Sequence, residues 1–266
     1  MVKRSEIDKP FNTQLYGMRV MPYEGIYLGF ITAYHGETIK PIPTDKLWMD
    51  RKNVQLAFSR NGITWMRVGP NGAIRPDAQH SEAEWKRIAS QAAFLPYGRL
   101  GRDWDAGVIH AHQAPLLIGD KIRIYYQAQN GRNWWNFHGD KNRDGVGLAT
   151  LRLDGFVSVD AASEGTLTTK PLLFIGDTLI VNADAAGGSI SVEALDVDGK
   201  PIAGFTRKDA APLTTNAVRH VVRWRKSDNC HLLQGRPVKL RFHLKSAKLY
   251  SFEFKIRRNN YVPSYD

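Results

Sequence analysis

Residues 54–65, VQLAFSRNGITW, and residues 146–157, VGLATLRLDGFV, follow one plan: a strand with Leu-Ala at the same place, then an arginine, then an Asn-Gly or Asp-Gly turn. A second pair, PLLIGDKIRIYY at 115–126 and PLLFIGDTLIVN at 171–182, sets Gly-Asp between two apolar runs. Recurring hairpins of this kind predict a repeated four-stranded unit. Four-stranded units of about 40–50 residues are what propeller blades look like in sequence. An ordinary β-sandwich whose hairpins are alike by chance is the competing reading.

The rest of the chain reads the same way. GIYLGFITAY (25–34), TLIVNADA (178–185), SISVEALDV (189–197), VKLRFHL (238–244) and KLYSFEFKI (248–256) are short, rich in β-branched and aromatic residues, and bounded by Gly, Asp, Asn or Pro. Asn61-Gly62, Asp154-Gly155 and Asp198-Gly199 are type I′ hairpin signals, and Gly119-Asp120 and Gly176-Asp177 fall between paired apolar runs. One helix is expected after Ser81, whose capping box closes with Glu84 and whose apolar face carries Trp85, Ile88, Ala89 and Ala92. The fold class is all-β, with that helix an insertion on the sheets.

The 37 Lys+Arg against 26 Asp+Glu leave a net charge of +11, which by itself suits nucleic acid or an acidic polysaccharide. The excess is spread along the chain: residues 1–164 hold 21 basic and 17 acidic side chains, net +4, and residues 165–266 hold 16 and 9, net +7. Its densest run, RHVVRWRK at 219–226, alternates charge with Val221, Val222 and Trp224, the pattern of the wet face of a half-buried strand. Nucleic-acid binding is therefore disfavoured. No stretch approaches about 18 consecutive apolar residues, and the opening residues lack a signal peptide's apolar segment, so no membrane partner is expected. The single cysteine, Cys230, has no partner for an internal disulfide and leaves the redox compartment open. Nucleophile elbows, phosphate loops, dinucleotide fingerprints and CxxC sites are absent, and no cofactor is implied.

SRNGITW (59–65) resembles the Asp-box-like turn of sialidases and related propeller glycosidases, where its role is structural. More broadly, YEGIYLGFITAYHG, VQLAFSRNGITWMR, DWDAGVIHAHQAPLLIGDKIRIYYQA and GVGLATLRLDGFVSVDA resemble later blades of the five-bladed propellers related to glycoside hydrolase families 32 and 43. GGSISVEALDVDGKPIAGF and LLQGRPVKLRFHLKSAKLYSFEF resemble the β-sandwich that ends such proteins in one bacterial subgroup. The resemblance implies a partial, about three-blade propeller over residues 1–164, a β-sandwich over 165–256 and a basic tail at 257–266. It also implies a secreted or periplasmic parent, a carbohydrate partner, and a chain without the first blades, which would self-associate or meet a partner chain that supplies them.

Such glycosidases use converging carboxylates, one to protonate the leaving oxygen and another to attack or to activate water. Glu24, in PYEGIYLG, is the position that matches the acid of the third blade; a turn carboxylate capping a strand end is the alternative. Asp105, in RDWDAGVIHAH, precedes an inner strand and is the candidate pocket carboxylate, or else a turn Asp. Trp104 beside it offers an aromatic face to a sugar ring or wedges between blades. His110 and His112 alternate on that strand and share a face, either to hold a metal or, as preferred here, to line a polar wall. Trp134, Trp135, His138 and Asp140, in the long loop 129–145, are sugar-contact candidates, against simple packing of the two Trp beneath the loop. Tyr125 and Tyr126 point to opposite faces, so at most one of them can reach a pocket, and Tyr125 is the candidate. The parent activity implied is glycoside hydrolysis, with this chain inactive by itself; a non-catalytic carbohydrate-binding protein is the alternative.

Overall fold

The computed structural model describes residues 2–36, 49–75, 77–132, 143–225 and 227–256. Strands hold 51% of the described residues and helix 6%, as the alternating patterns require. Contacts divide the chain into two compact units, Met1–Thr150 and Leu151–Asp266.

In the first unit β1 (Gln14–Tyr23) and β2 (Ile26–His35) form a hairpin. Its two-residue loop, Glu24-Gly25, holds both residues at positive φ, 43° and 77°, as a type I′ turn demands. β3 (Arg51–Ser59) pairs with β2 along its whole length. The unit continues with β4 (Met66–Gly69), β5 (Gly72–Ile74), helix α1 (Glu82–Ser90), β6 (Ala93–Leu95), β7 (Val108–His110), β8 (Leu116–Ile118), β9 (Lys121–Gln129) and β10 (Asp144–Arg152). The far edge of β3 is shared by three short partners: β4 at Ala57 and Phe58, β6 at Val54 and Gln55, and β7, in parallel, at Lys52. Through β7 the order runs β1-β2-β3-β7-β9-β10 in one sheet that curls into half a barrel. Hydrogen bonding is therefore continuous across all ten strands and does not separate into the blades expected from the repeats.

The turns divide as well. Gly119-Asp120 is a two-residue hairpin, with Ile118 paired to Lys121 and Gly119 at φ 60°. Asn61-Gly62 is not: β3 and β4 pair at Phe58 and Met66, and the loop between them is closed by its own polar groups. Ser59 Oγ accepts from Gly62 N at 3.0 Å, Asn61 Oδ1 from Thr64 N at 2.8 Å, and Trp65 Nε1 donates to Gly62 O at 3.0 Å. These side-chain bonds substitute for the two-residue turn.

Helix α1 begins at the expected cap. Ser81 Oγ accepts from Glu84 N at 3.3 Å while Ser81 N donates to Glu84 Oε2 at 2.9 Å. Its buried face, Trp85, Ile88, Ala89 and the adjoining Ala92, packs on Ile7 and Phe11. Replacing Ser81 by Ala is expected to cost about 1 kcal/mol of stability, measurable by urea denaturation; an unchanged midpoint would show that packing alone starts the helix.

The strands of the second unit are hydrogen-bonded into one connected sheet of five: β11 (Val159–Thr168), β12 (Thr178–Asp184), β13 (Ser189–Leu195), β14 (Asn216–Val221) and β15 (Lys239–Lys255). β12 and β13 lie end to end along one edge of β15, and β11 runs along the other. The segments 238–244 and 248–256, read above as two strands, form the single strand β15, with Ser246 inside it at φ 41°. The Gly176-Asp177 hairpin is likewise replaced. Leu172 bridges to Val238, and β12 finds its partners in β14 and β15. Asp154-Gly155 makes a turn, with Gly155 N bonded to Arg152 O, but β11 beyond it pairs with β15 and not with β10. One core joins Leu179, Val181, Val192, Val222, Trp224, Leu233, Leu240 and Phe242. Arg219, Arg223 and Arg225 point outward while His220, Val222 and Trp224 are buried, so the basic run is the wet side of a half-buried segment. Among the described residues no helix is long and apolar enough to cross a membrane.

Candidate functional site

The expected pocket residues fall on opposite faces of the first sheet. His110 pairs with Gln127 and Ile109 with Ala128. Alternation then puts His110, Gln127 and Tyr125 on one face and Ile109, Ala128 and Tyr126 on the other. Asp105 belongs with the second group, since Tyr126 Oη donates to its Oδ2 at 3.1 Å.

Trp104 completes that second group. Its ring centroid lies 5.9 Å from that of Tyr126, with 17° between the planes. Both rings rest on β10: a Cβ built on Gly145 would stand 3.5 Å from Trp104, and one on Gly147 would strike the Tyr126 ring. The two rings are nearly parallel and lie over alternate residues of one strand, a stacked aromatic pair that forms the platform. Both are half-buried. The Asp105 carboxylate stands at the rim. Burial, and then the hydrogen bond to Asp105, raise the Tyr126 phenol above its ordinary range. Beneath the turn, Arg51 Nη2 donates to Gly98 O at 2.9 Å and to Ala106 O, and its guanidinium lies 3.4 Å from the Tyr97 ring centroid. A buried arginine thus holds the loop that carries Trp104 and Asp105. A second carboxylate, Asp103, approaches Asp105 across Gly98; hydrogen bonds from Arg99 N and Nε hold it below the usual carboxylate range.

On the opposite face His112 stacks on His110, with centroids 5.0 Å apart. Burial, then the neighbouring Lys52 and His112, lower the His110 imidazole to about 4, so it is neutral at physiological pH. Among the described residues no three His, Cys, Asp or Glu side chains are grouped to hold a metal. Glu24 is exposed at the tip of the β1–β2 hairpin, and its left-handed backbone serves the turn. Trp134, Trp135, His138 and Asp140 lie outside the described residues, as does the basic tail.

Charged clefts lie elsewhere, among them one of about 760 Å³ beside Glu6, Lys9, His80 and Trp85 and one of about 400 Å³ beside Asp160, Asp184 and Lys248. Their charges are engaged with each other, Lys9 to Glu6 at 2.7 Å and Lys248 to Asp160 at 3.2 Å. The platform presents its rings and the Asp105 rim without such an ion pair and is the better candidate.

No protein-family model matches the chain, and no curated protein or solved structure matches it significantly.

Sequence reasoning placed Trp104 and Asp105 together but chose Tyr125 over Tyr126. The signal that separates them is GVG at 145–147, two glycines on one face of a strand, which leaves room for a neighbouring ring.

Proposed function

We propose that this chain binds carbohydrate on the Trp104–Tyr126 platform. The observation that carries this reading is the pair of nearly parallel rings seated on Gly145 and Gly147 with a carboxylate at the rim. A pyranose or furanose presents an apolar C–H face to such rings and a hydroxyl edge to Asp105. The kinship with propeller glycosidases belongs to the same proposal, and the Ser59–Trp65 loop, bonded through Ser, Asn, Gly and Trp, supports it.

Titration of a panel of oligosaccharides, followed by tryptophan fluorescence and calorimetry, tests the reading. Trp104→Ala and Tyr126→Ala are each expected to weaken binding about tenfold or more, and Gly147→Val to do the same by displacing the Tyr126 ring. Binding that survives all three changes sinks the proposal. The convergence of Asp103 and Asp105 favours glycoside hydrolysis as a second reading, because that chemistry needs two carboxylates. Against it, Asp103 is committed to Arg99, so binding without turnover is expected. Hydrolysis of a reporter glycoside that disappears in Asp105→Asn would establish the enzyme instead.

A further inference from the structure

A row of side chains crosses four strands on the face opposite the platform. Tyr34 is paired directly with Lys52 across β2 and β3, and Tyr16 of β1 lies beside Tyr34 with ring centroids 5.4 Å apart. On the other side Lys52 pairs with Val108 of β7, which places His110 on the same face two residues on. The Lys52 ammonium stands 4.3 Å from the Tyr16 ring centroid and 5.9 Å from that of Tyr34.

Lys52 is only 6% exposed, and among the described residues its ammonium makes no hydrogen bond. Aromatic faces attract its charge but accept none of its three N–H donors conventionally. The ammonium is not among the buried side-chain atoms left without a partner, so its tip reaches solvent, and its donors are satisfied there by water or by a ligand. The local charge has the same bias. Asp50, which accepts from Tyr34 Oη at 3.1 Å, is the carboxylate that attracts both Lys52 and Arg132. Among the described residues, one negative group therefore faces two positive ones. His110 and His112 add imidazole nitrogens at the end of the row, and Tyr16, 54% exposed, stands at its open end.

We propose that Tyr16, Tyr34, Lys52 and His110 form a site for an oxyanion, the carboxylate or phosphate group of a small ligand, whose oxygens accept from the Lys52 ammonium. Water satisfies the donors but leaves the charge unbalanced; an oxyanion does both. The tyrosine rings then contact the ligand's apolar body, and the neutral His110 offers one ring N–H or one acceptor according to its tautomer. The site is separated from the platform by the sheet, so it stands or falls independently of the carbohydrate reading.

Calorimetry and thermal melts with inorganic phosphate, a hexuronate and the corresponding neutral hexose, at one fixed ionic strength, test the proposal. The full chain is expected to bind at least one of the two anions with one-to-one stoichiometry and a raised melting temperature, and not to respond to the hexose. Binding of phosphate alone marks a phosphate ester, and binding of hexuronate alone a sugar acid. Lys52→Met should weaken binding about tenfold or more. Should that variant not fold, Tyr16→Ala at the exposed end should still reduce affinity severalfold. The His110 ring resonances of the native chain, titrated by NMR, should show its pKa rising from about 4 when the anion pairs with Lys52. The proposal is overturned if neither anion binds at about 10 mM, near the weak end of specific affinity, or if Lys52→Met binds as well as the native chain. An unmoved His110 titration in saturating anion overturns it equally.

Discussion

Replacing Arg67 by methionine should destabilise the first unit by about 3–5 kcal/mol, as expected when one partner of a buried ion pair is removed. Arg67 Nη1 lies 2.6 Å from Asp8 Oδ1, with side-chain exposures of 6% and 1%, and Arg67 Nη2 bonds to Gln55 Oε1. The other Asp8 oxygen accepts from Ser5 N at 2.9 Å and so shapes the 3-10 turn at Glu6–Asp8. Without Arg67 the carboxylate keeps only that backbone partner in a place water does not reach, and the turn that carries Ile7 and Phe11 onto α1 loses its anchor. The double replacement Asp8→Leu with Arg67→Met should recover much of the loss, because the pair owes part of its apparent worth to the cost of leaving one charge alone. Urea denaturation of both variants checks this. A single-variant loss below about 1 kcal/mol, the level of a solvent-exposed pair, would show that the pair is not buried in solution.

Acid should weaken the protein through His35 before general denaturation begins. His35 is 3% exposed, with Thr13 Oγ1 3.0 Å from its Nδ1. Burial first, with smaller lowering effects from Arg67 and Arg51, brings its pKa from 6.5 to about 4, against the raising effects of Asn53 and Asp8. The unfolded chain therefore takes up a proton as pH falls through about 6.5, while the folded chain refuses it until about 4. Stability contributed by the neutral imidazole is complete above pH 6.5 and declines between 6.5 and 4. The loss over that window is on the order of 3 kcal/mol. His110 titrates in the same direction with a smaller share, since its ring is only partly buried and solvent screens it. Urea midpoints at pH 7 and 4.5, for the native chain and for His35→Gln, measure the effect. Equal pH slopes in the two proteins would show that His35 is not the group responsible.

Several features of this fold are written in short stretches of sequence. The Ser81 capping box and the Trp85, Ile88, Ala89 stripe are local and appear as read. The alternation of charge and Val222, Trp224 at 219–225 survives because a strand's period of two is set by the backbone itself. The all-β class follows from the same periodicity, repeated along the chain. The blades rested on similarity between hairpins, whereas the C-terminal sandwich rested on a resemblance to other proteins. Similar sequence in two hairpins specifies local turns and leaves their partners open: PLLIGD at 115–120 closes back on its own strand, and PLLFIGD at 171–177 reaches Val238.

What the sequence alone determined is therefore the strands, the helix with its cap, the alternating faces, and the nearness of Trp104 to Asp105. Tertiary structure decided which face of each strand is covered, and through that the candidate sites. Period two says that Tyr125 and Tyr126 oppose each other, but only the seating of β10 glycines beneath Tyr126 shows which ring joins Trp104. Nothing in RKNVQLAFS marks Lys52 as different from a solvent-facing lysine; its burial follows from Tyr16, Tyr34 and β7 arriving from distant parts of the chain. The physical reason is one of range. Backbone sterics and side-chain periodicity act over a few residues, whereas burying a charge depends on strands that meet only when the whole sheet has formed.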